Sequence, residues 1–339
     1  MSVKYKEAKM QKIKKIIGIL VCIAGFASIS FSQKSRLPYD GGWSTQAVDA
    51  QNVKQYGFRS KLVKQLVNYH VFIPKQLRSY TGPMPTLIWL HGSFSTLQGI
   101  KPISTYFQKA MDEKKLRPMV IVFPHGLNQS LWVNSKSGKY PVEDVLVKEI
   151  IPDLKNHFNF RPDRVKPMIA GFSMGGYGAA RLHIKYPELF SNAIAIAGGP
   201  LNEDFKTTSG NEQQREILLR EVFDGDMNYY RSVNPRGEAL KVSKKTYKPN
   251  LSLAIVVGDK DKTFEENKRF SNYLNKLRIK HQYTVLQNVD HNMKQVFQVG
   301  SEQIFQILNQ QITQSLRKFK SRRQSRQNRS RRSRNQRGR

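Results

Sequence analysis

The chain has 339 residues, 39% of them hydrophobic, and it carries a formal net charge of +32. This length allows one catalytic domain with extensions and leaves hardly any room for two full domains. The single cysteine, Cys22, excludes a disulfide framework and also excludes a zinc site built on cysteine ligands.

The N-terminal segment, residues 1–32, has the plan of a secretory signal peptide. A basic stretch precedes an apolar run over residues 16–31, and small and polar residues follow it. Ser30 and Ser32 are the small residues that a cut before Gln33 requires. A retained signal anchor is the alternative, although the run spans about 24 Å against a bilayer core of about 30 Å. Either interpretation predicts a secreted or extracytoplasmic catalytic domain.

Strand and helix patterns alternate beyond a polar lead-in or linker at residues 33–57, through a catalytic domain predicted over residues 58–314. Strands are predicted at 67–74, 86–90, 119–124, 166–170, 193–197, 251–257 and 282–286. Helices are predicted at 103–115, 142–158 with a bend or a new helix start at Pro152, 174–186, 265–280 and 294–312. This alternation predicts an α/β fold with a mostly parallel central sheet and helices on both faces. Residues 201–250 interrupt it and are interpreted as an insertion over the site.

The C-terminal tail, residues 315–339, is strongly basic. Residues 317–339 contain twelve Lys and Arg and no acidic residue. Because such a segment buries little apolar surface, it is predicted to be disordered. Its charge suits an acidic glycan or an anionic membrane surface. It lacks the interleaved aromatic residues of a base-stacking surface, so no specific nucleic-acid partner is expected.

The candidate nucleophile is Ser173, in the sequence GFSMGG at residues 171–176. This motif follows a short buried strand and opens a helix, which is the setting that the nucleophile elbow G-x-S-x-G requires. The serine of such an elbow sits in a strained turn that lifts its hydroxyl clear of the sheet. Glycines beside it let the strand and the helix approach closely.

A base and an acid are needed, because a serine alone is a weak nucleophile at neutral pH. In this fold the order is serine, acid, histidine. His291 lies in a polar loop between a strand and a helix and is the candidate base. Asp261 is the preferred acid after the strand at 251–257, with Asp259 as the competing carboxylate.

Two backbone N–H groups should stabilise the charge that develops during attack. Met174, directly after the nucleophile, supplies one of them. Ser93 or Phe94, in the loop after the strand at 86–90, supplies the other. His91 is interpreted as a structural hydrogen-bonding residue. Trp132 is a possible wall of the substrate cleft, with domain packing as its alternative.

The motifs together resemble the putative-esterase branch of the α/β hydrolases, which includes esterase D, bacterial feruloyl esterases and the mycolyltransferases. The resemblance covers roughly residues 60–312 and rests on the motifs LIWLHG, VFPHGLNQSLW, VEDVLVKEIIPDLKNHF, GFSMGGYGAARLHIKYPELFSNAIAIAGG, VVGDKD and DHN. It implies the α/β-hydrolase fold, no cofactor or metal, and the roles of nucleophile, acid and base for Ser173, Asp261 and His291. Family members often have further glycines after the first His-Gly, whereas in this chain Ser93 follows His91-Gly92.

The sequence therefore predicts an exported serine carboxylesterase that acts on a small-molecule or polysaccharide-linked ester. An acyltransferase or a serine peptidase on the same fold is one alternative. A polyanion-binding or surface-binding protein on a non-catalytic hydrolase scaffold is the other. The sequence carries no signal for the oligomeric state.

Overall fold

The structure, a computed structural model, describes residues 37–39, 42–208, 210–246, 249 and 251–337, with the backbone alone for residues 322–337. The predicted signal segment, with Cys22 and the possible cleavage site, lies outside the described residues. Among the described helices, none combines the length and the apolar character that a membrane crossing needs.

The strands form one sheet in the order β1-β2-β4-β3-β5-β6-β7-β8. The first two strands pair antiparallel with each other, and β2 pairs antiparallel with β4, whereas β3 through β8 are mutually parallel. The bounds are β1 Val53–Arg59, β2 Leu66–Phe72, β3 Thr86–Leu90, β4 Val120–Pro124, β5 Met168–Phe172, β6 Ala193–Ile196, β7 Leu253–Gly258 and β8 Gln282–Leu286.

Helices connect the parallel strands. Their bounds are α1 Ile100–Asp112, α2 in four consecutive pieces (Val142–Asp144, Val145–Ile150, Ile151–Asp153 and Leu154–Asn156), α3 Met174–Lys185, α4 Glu212–Phe223, α5 Met227–Val233, α6 Pro235–Ser243, α7 Phe264–Lys276 and α8 Met293–Arg337, with short 3-10 turns at Lys75–Leu77 and Phe205–Thr207. The second piece of α2 is π-helical. Pro152 stands at the start of the third piece, directly after the π-helical piece, so a new piece begins there while the helical path continues.

Two hydrophobic clusters cover the two faces of the sheet. Phe107 of α1 and Phe305 of α8 belong to one cluster, while Leu182 of α3 and Phe270 of α7 belong to the other. Every residue of β3, β4, β6 and β7 is buried, as expected for parallel strands covered on both sides. The predicted fold class, a mostly parallel sheet of the α/β-hydrolase type, is confirmed.

Two segments differ from the sequence expectation. Strand β1 lies partly inside the predicted linker, because an edge strand needs only a half-buried pattern, which Tyr56 and Phe58 provide by packing on the core. The basic tail, expected to be disordered, continues α8 as far as Arg337. Arg, Lys and Gln are good helix formers, and no Pro or Gly interrupts residues 301–337.

Candidate active site

Ser173 occupies a sharp turn between β5 and α3. Its backbone has φ 59° and ψ −120°, a conformation that costs free energy for any residue with a side chain. The Ser173 N–H donates to the carbonyl oxygen of Ile196 on the neighbouring strand at 2.9 Å, which helps to hold the turn. The strain therefore falls on the residue that the motif singled out.

The glycines around Ser173 allow backbones to approach to distances that no side chain would permit. A Cβ atom on Gly175 would lie 2.0 Å from the carbonyl oxygen of Leu90, and one on Gly176 would lie 2.5 Å from that of Ile196. Helix α3 consequently begins directly against β3 and β6, and the elbow is pressed onto the sheet.

The His291 ring lies beside the Ser173 hydroxyl. Its Nε2 atom is 3.0 Å from the Ser173 Oγ atom, and its Nδ1 atom is 2.8 Å from an oxygen of Asp261. The ring packs on Phe172 with 4.7 Å between centroids, and the His291 side chain is only 19% exposed. Because an ionised carboxylate only accepts hydrogen bonds, Nδ1 carries the proton, and Nε2 is left to accept the serine O–H.

Asp261 lies in the loop after β7 and is almost fully buried. One carboxylate oxygen also accepts from the Thr263 N–H at 2.7 Å and from the Thr263 hydroxyl at 2.8 Å. Burial raises the pKa of Asp261, but the hydrogen bonds from His291 and Thr263 outweigh it and hold the pKa below its usual value. The carboxylate therefore stays ionised beside the imidazole.

The competing carboxylate, Asp259, lies outside this arrangement. Its backbone N–H donates to the carbonyl oxygen of Leu286, and one of its carboxylate oxygens is buried without a hydrogen-bond partner among the described residues. Of the two candidates that the sequence left open, the structure brings Asp261 to His291.

One of the two possible oxyanion donors in the loop after β3 is already engaged. The Phe94 N–H donates to the carbonyl oxygen of Asn128 at 2.8 Å. Ser93 lines the cavity at Ser173, and no described residue accepts its N–H. Met174 opens α3, where the first N–H groups have no partner inside the helix. The amides of Ser93 and Met174 are thus the available pair.

His91 is a buried structural residue. Its Nε2 atom accepts from the Gly126 N–H at 3.0 Å, and its Nδ1 atom lies 2.8 Å from the carbonyl oxygen of Gly92. Burial lowers the pKa of His91 to about 3, with His125 adding to the effect, so the ring is neutral at physiological pH. It joins the loops after β3 and β4 beneath the site.

The possible cleft role of Trp132 is corrected by the structure. Its side chain is fully buried and does not line the cavity at Ser173. The indole N–H donates to the carbonyl oxygen of His91 at 3.2 Å, and Gly126 and Gly178 leave room for the ring. Packing explains this tryptophan, because a large aromatic ring fills the space between the loops and α3.

A cavity of about 450 Å³ opens at Ser173 and His291. One wall comes from the 201–250 region, which contains α4 to α6 and which the sequence predicted to lie over the site without assigning residues. Residues lining the cavity are Gly92, Ser93, Ser95, Gln129, Leu131, Phe172, Ser173, Gly199, Pro200, Phe205, Thr208, Gly210, Asn211, Gln214, Arg215, Leu218, Lys262, Thr263 and His291. Of these, Thr263 had a usable sequence signal, because Asp followed two residues later by Thr favours a local side-chain-to-backbone turn.

Comparison with known proteins gives a family and several relatives. The model of the family described as "Putative esterase" matches residues 60–319. An endo-1,4-beta-xylanase/feruloyl esterase of Xylanibacter ruminicola is 25% identical over 204 residues, which are 57% of this chain and 27% of that protein. An acetyl esterase of Caldicellulosiruptor saccharolyticus is 30% identical over 173 residues, covering 48% of this chain and 62% of that one. The matches thus span less than two thirds of these relatives.

Solved structures agree on the fold. An S-formylglutathione hydrolase from Staphylococcus aureus superposes with a TM-score of 0.58 at 18% identity, covering 76% of this chain and 98% of that one. A ferulic acid esterase from Anaeromyces mucronatus superposes with a TM-score of 0.56 at 17% identity, covering 78% and 92%. Because the family model spans most of the length of this chain, the chain belongs to the "Putative esterase" family, as its motifs indicated, and it has the α/β-hydrolase fold.

Proposed function

We propose that this chain is a serine carboxylesterase, with Ser173 as nucleophile, His291 as general base and acid, and Asp261 as the carboxylate that orients the imidazole. The observation that carries the proposal is the continuous hydrogen-bonded line from Asp261 through His291 to the Ser173 hydroxyl, with separations of 2.8 and 3.0 Å. Nucleophile, base and orienting group within hydrogen-bond reach are the signature of an activated serine.

Acylation begins when the Ser173 oxygen attacks the ester carbonyl carbon and its proton passes to the Nε2 atom of His291. The carbonyl oxygen takes the negative charge, which the amides of Ser93 and Met174 stabilise. A preorganised donor of this kind contributes roughly a hundredfold to a thousandfold in kcat. The C–O bond to the alcohol then breaks, and His291 returns the proton to the leaving oxygen.

Deacylation repeats these steps with water as the nucleophile. The Nε2 atom of His291 takes a proton from water while the water oxygen attacks the acyl carbon. Collapse of the second tetrahedral intermediate breaks the bond to the Ser173 oxygen, which recovers its proton from His291. The products are a carboxylic acid and an alcohol, so the chemistry balances without a cofactor.

The cavity suits a small acyl or aryl ester. Its volume falls within the usual range of small-molecule sites, and Leu131, Phe172, Phe205 and Leu218 supply apolar surface. The relatives described as feruloyl and acetyl esterases support the same substrate class. Rates on p-nitrophenyl esters of increasing chain length and on methyl ferulate measure which acyl groups the cavity accepts.

The test of the proposed nucleophile is covalent labelling with a fluorophosphonate. We expect the wild type to be labelled and Ser173→Ala to be unlabelled, with hydrolysis of p-nitrophenyl esters reduced by about a millionfold in kcat. Ser191→Ala is the matched control, because this hydroxyl bonds a backbone carbonyl away from the cavity. Equal labelling of wild type and Ser173→Ala would exclude Ser173 as the nucleophile.

The export and surface roles extend this proposal. The signal-like pattern of residues 1–32 supports action outside the cytoplasm. Mass spectrometry of the exported protein tests it, with Gln33 expected as the first residue after cleavage.

The twelve cations of residues 317–339 support contact with a polyanionic surface. The full chain is tested for salt-sensitive binding to an acidic glycan matrix and to anionic vesicles. Deleting residues 317–339 should abolish the binding that the full chain shows.

A further inference from the structure

Two cationic residues line the cavity that holds Ser173. Arg215 comes from α4, and Lys262 comes from the loop between Asp261 and α7. No aspartate or glutamate is among the described residues that line this cavity. The cleft therefore presents positive charge to whatever part of a substrate lies beyond the scissile bond.

The Arg215 guanidinium is held in place by backbone rather than by an acid. Its Nη1 atom donates to the carbonyl oxygens of Thr208 at 3.1 Å and of Gly210 at 2.5 Å. Its Nε and Nη2 atoms have no acceptor among the described residues. The group is half-buried and oriented, so little side-chain entropy would be lost when it binds an anion.

Two carboxylates next to residues of the cleft are already engaged. Asp261 is bonded to His291 and Thr263, and Glu266 accepts the backbone N–H of Leu201 at 2.8 Å. Neither Arg215 nor Lys262 forms an ion pair with any acidic side chain of the described chain. Cationic side chains without an ion-pair partner are usually exposed to solvent. Arg215 and Lys262 differ because they line a concave site together with the proposed nucleophile.

We infer that the preferred substrates are esters that carry a carboxylate, and that Arg215 binds this carboxylate through its free guanidinium edge while Lys262 adds a second positive charge. This inference rests on the proposed function and names its substrate class. A guanidinium and a carboxylate match in planar two-point geometry, which makes such a contact selective as well as strong. Arg215 is thus a specificity residue, outside the bond-breaking steps.

Two pairs of esters test the inference, each pairing an anionic ester with a neutral analogue of similar size. On the acyl side, 4-nitrophenyl hydrogen adipate is compared with 4-nitrophenyl hexanoate. On the alcohol side, 4-acetoxybenzoate is compared with 4-acetoxybenzamide. We expect at least one pair to favour the anionic ester in kcat/KM by tenfold or more, mainly through KM, with the preference falling as salt is raised.

Variants assign the preference to its residue. Arg215→Gln should reduce the anionic-to-neutral ratio by about tenfold to a hundredfold, which corresponds to a charge-assisted hydrogen-bond contact. Arg215→Lys should retain part of the ratio, and Lys262→Met should lower it a few-fold without removing any hydrogen bond that the structure shows. Arg220→Gln is the matched control, because it removes the same charge from α4 at a residue outside the cavity.

Binding to the Ser173→Ala variant separates this inference from the proposed function. Calorimetry with 4-nitrophenyl hydrogen adipate should show tighter binding than with the hexanoate, and a further Arg215→Gln change should remove the difference. The inference is overturned if the anionic-to-neutral ratio of kcat/KM is near one in both pairs, or if Arg215→Gln leaves this ratio unchanged. Either result leaves the proposed esterase activity intact. If the wild-type chain binds the anionic ester selectively but is not labelled by a fluorophosphonate, the anion site is supported and the proposed esterase activity is refuted.

Discussion

Replacing Glu143 with glutamine removes a buried negative charge behind the helix that presents Ser173. The Glu143 carboxylate lies 2.5 Å from the Arg181 guanidinium and 2.5 Å from the Lys185 ammonium, and it also accepts from the Tyr186 hydroxyl. Arg181 and Glu143 are each only 1% exposed. In Glu143→Gln the arginine charge stays buried and loses the carboxylate with which it forms an ion pair.

The size of the effect follows from two separate arguments. Removing one partner of a buried ion pair costs roughly 3–5 kcal/mol. Burial raises the pKa of Glu143, but Arg181 and Lys185 outweigh it and lower the pKa from the usual 4.5 to about 2. That difference corresponds to about 3 kcal/mol of stability, present above pH 4.5 and lost as the pH falls toward 2. Both arguments predict a large loss at pH 7.

Urea unfolding at pH 7 and at pH 3 measures this loss of stability. We expect Glu143→Gln to lower the urea concentration at the unfolding midpoint at pH 7 without changing the dependence of the unfolding free energy on urea. At pH 3 the difference in stability between the variant and the wild type should be smaller. Asp144→Asn, which breaks a more exposed pair with Lys148, should cost under about 1 kcal/mol. Equal, small losses in the two variants would refute the idea that the Arg181 charge depends on this carboxylate.

Three further outcomes are expected. Asp261→Asn should lower kcat by about a thousandfold to ten-thousandfold with little change in melting temperature, because an amide favours the wrong His291 tautomer; a fall below tenfold would contradict the orienting role. Gly175→Ala should prevent soluble folding, since its Cβ would lie 2.0 Å from a backbone oxygen of β3, whereas Gly99→Ala meets only ordinary contacts and should fold normally in a circular dichroism comparison. Burial, with a smaller contribution from Lys166, lowers the pKa of His183 to about 4, so the unfolded chain takes up this proton first and stability falls between pH 6.5 and 4; His183→Asn should flatten that fall in urea unfolding.

The sequence was informative where the chemistry is encoded over a few consecutive residues. The turn at Ser173 was predicted from the glycine spacing, which follows from a backbone contact that only glycine allows. His291 and Asp261 were proposed from chain order and loop position, and the structure brings their side chains together. The choice between Asp259 and Asp261 needed coordinates, because two residues of loop decide which carboxylate reaches the ring.

Features that depend on distant segments were beyond the sequence. Arg215 reaches the cavity only because α4 packs across the site, and nothing near it in the chain signals that role. Trp132 follows a loop that does border the cavity, yet its backbone has φ 55° and its ring lies in the interior. The length of α8 was missed because the tail was judged by its apolar content, whereas helix propensity alone favours a continuous helix there.

The proposed reacting groups and the proposed recognising wall belong to different parts of the chain. Ser173, Asp261 and His291 follow the carboxyl ends of β5, β7 and β8, whereas much of the opposite wall belongs to one stretch that inserts between β6 and β7. Grafting that stretch from another family member onto this sheet should transfer the donor's substrate preference and leave bond cleavage itself intact. A new substrate specificity could then evolve by exchanging the segment between β6 and β7 alone.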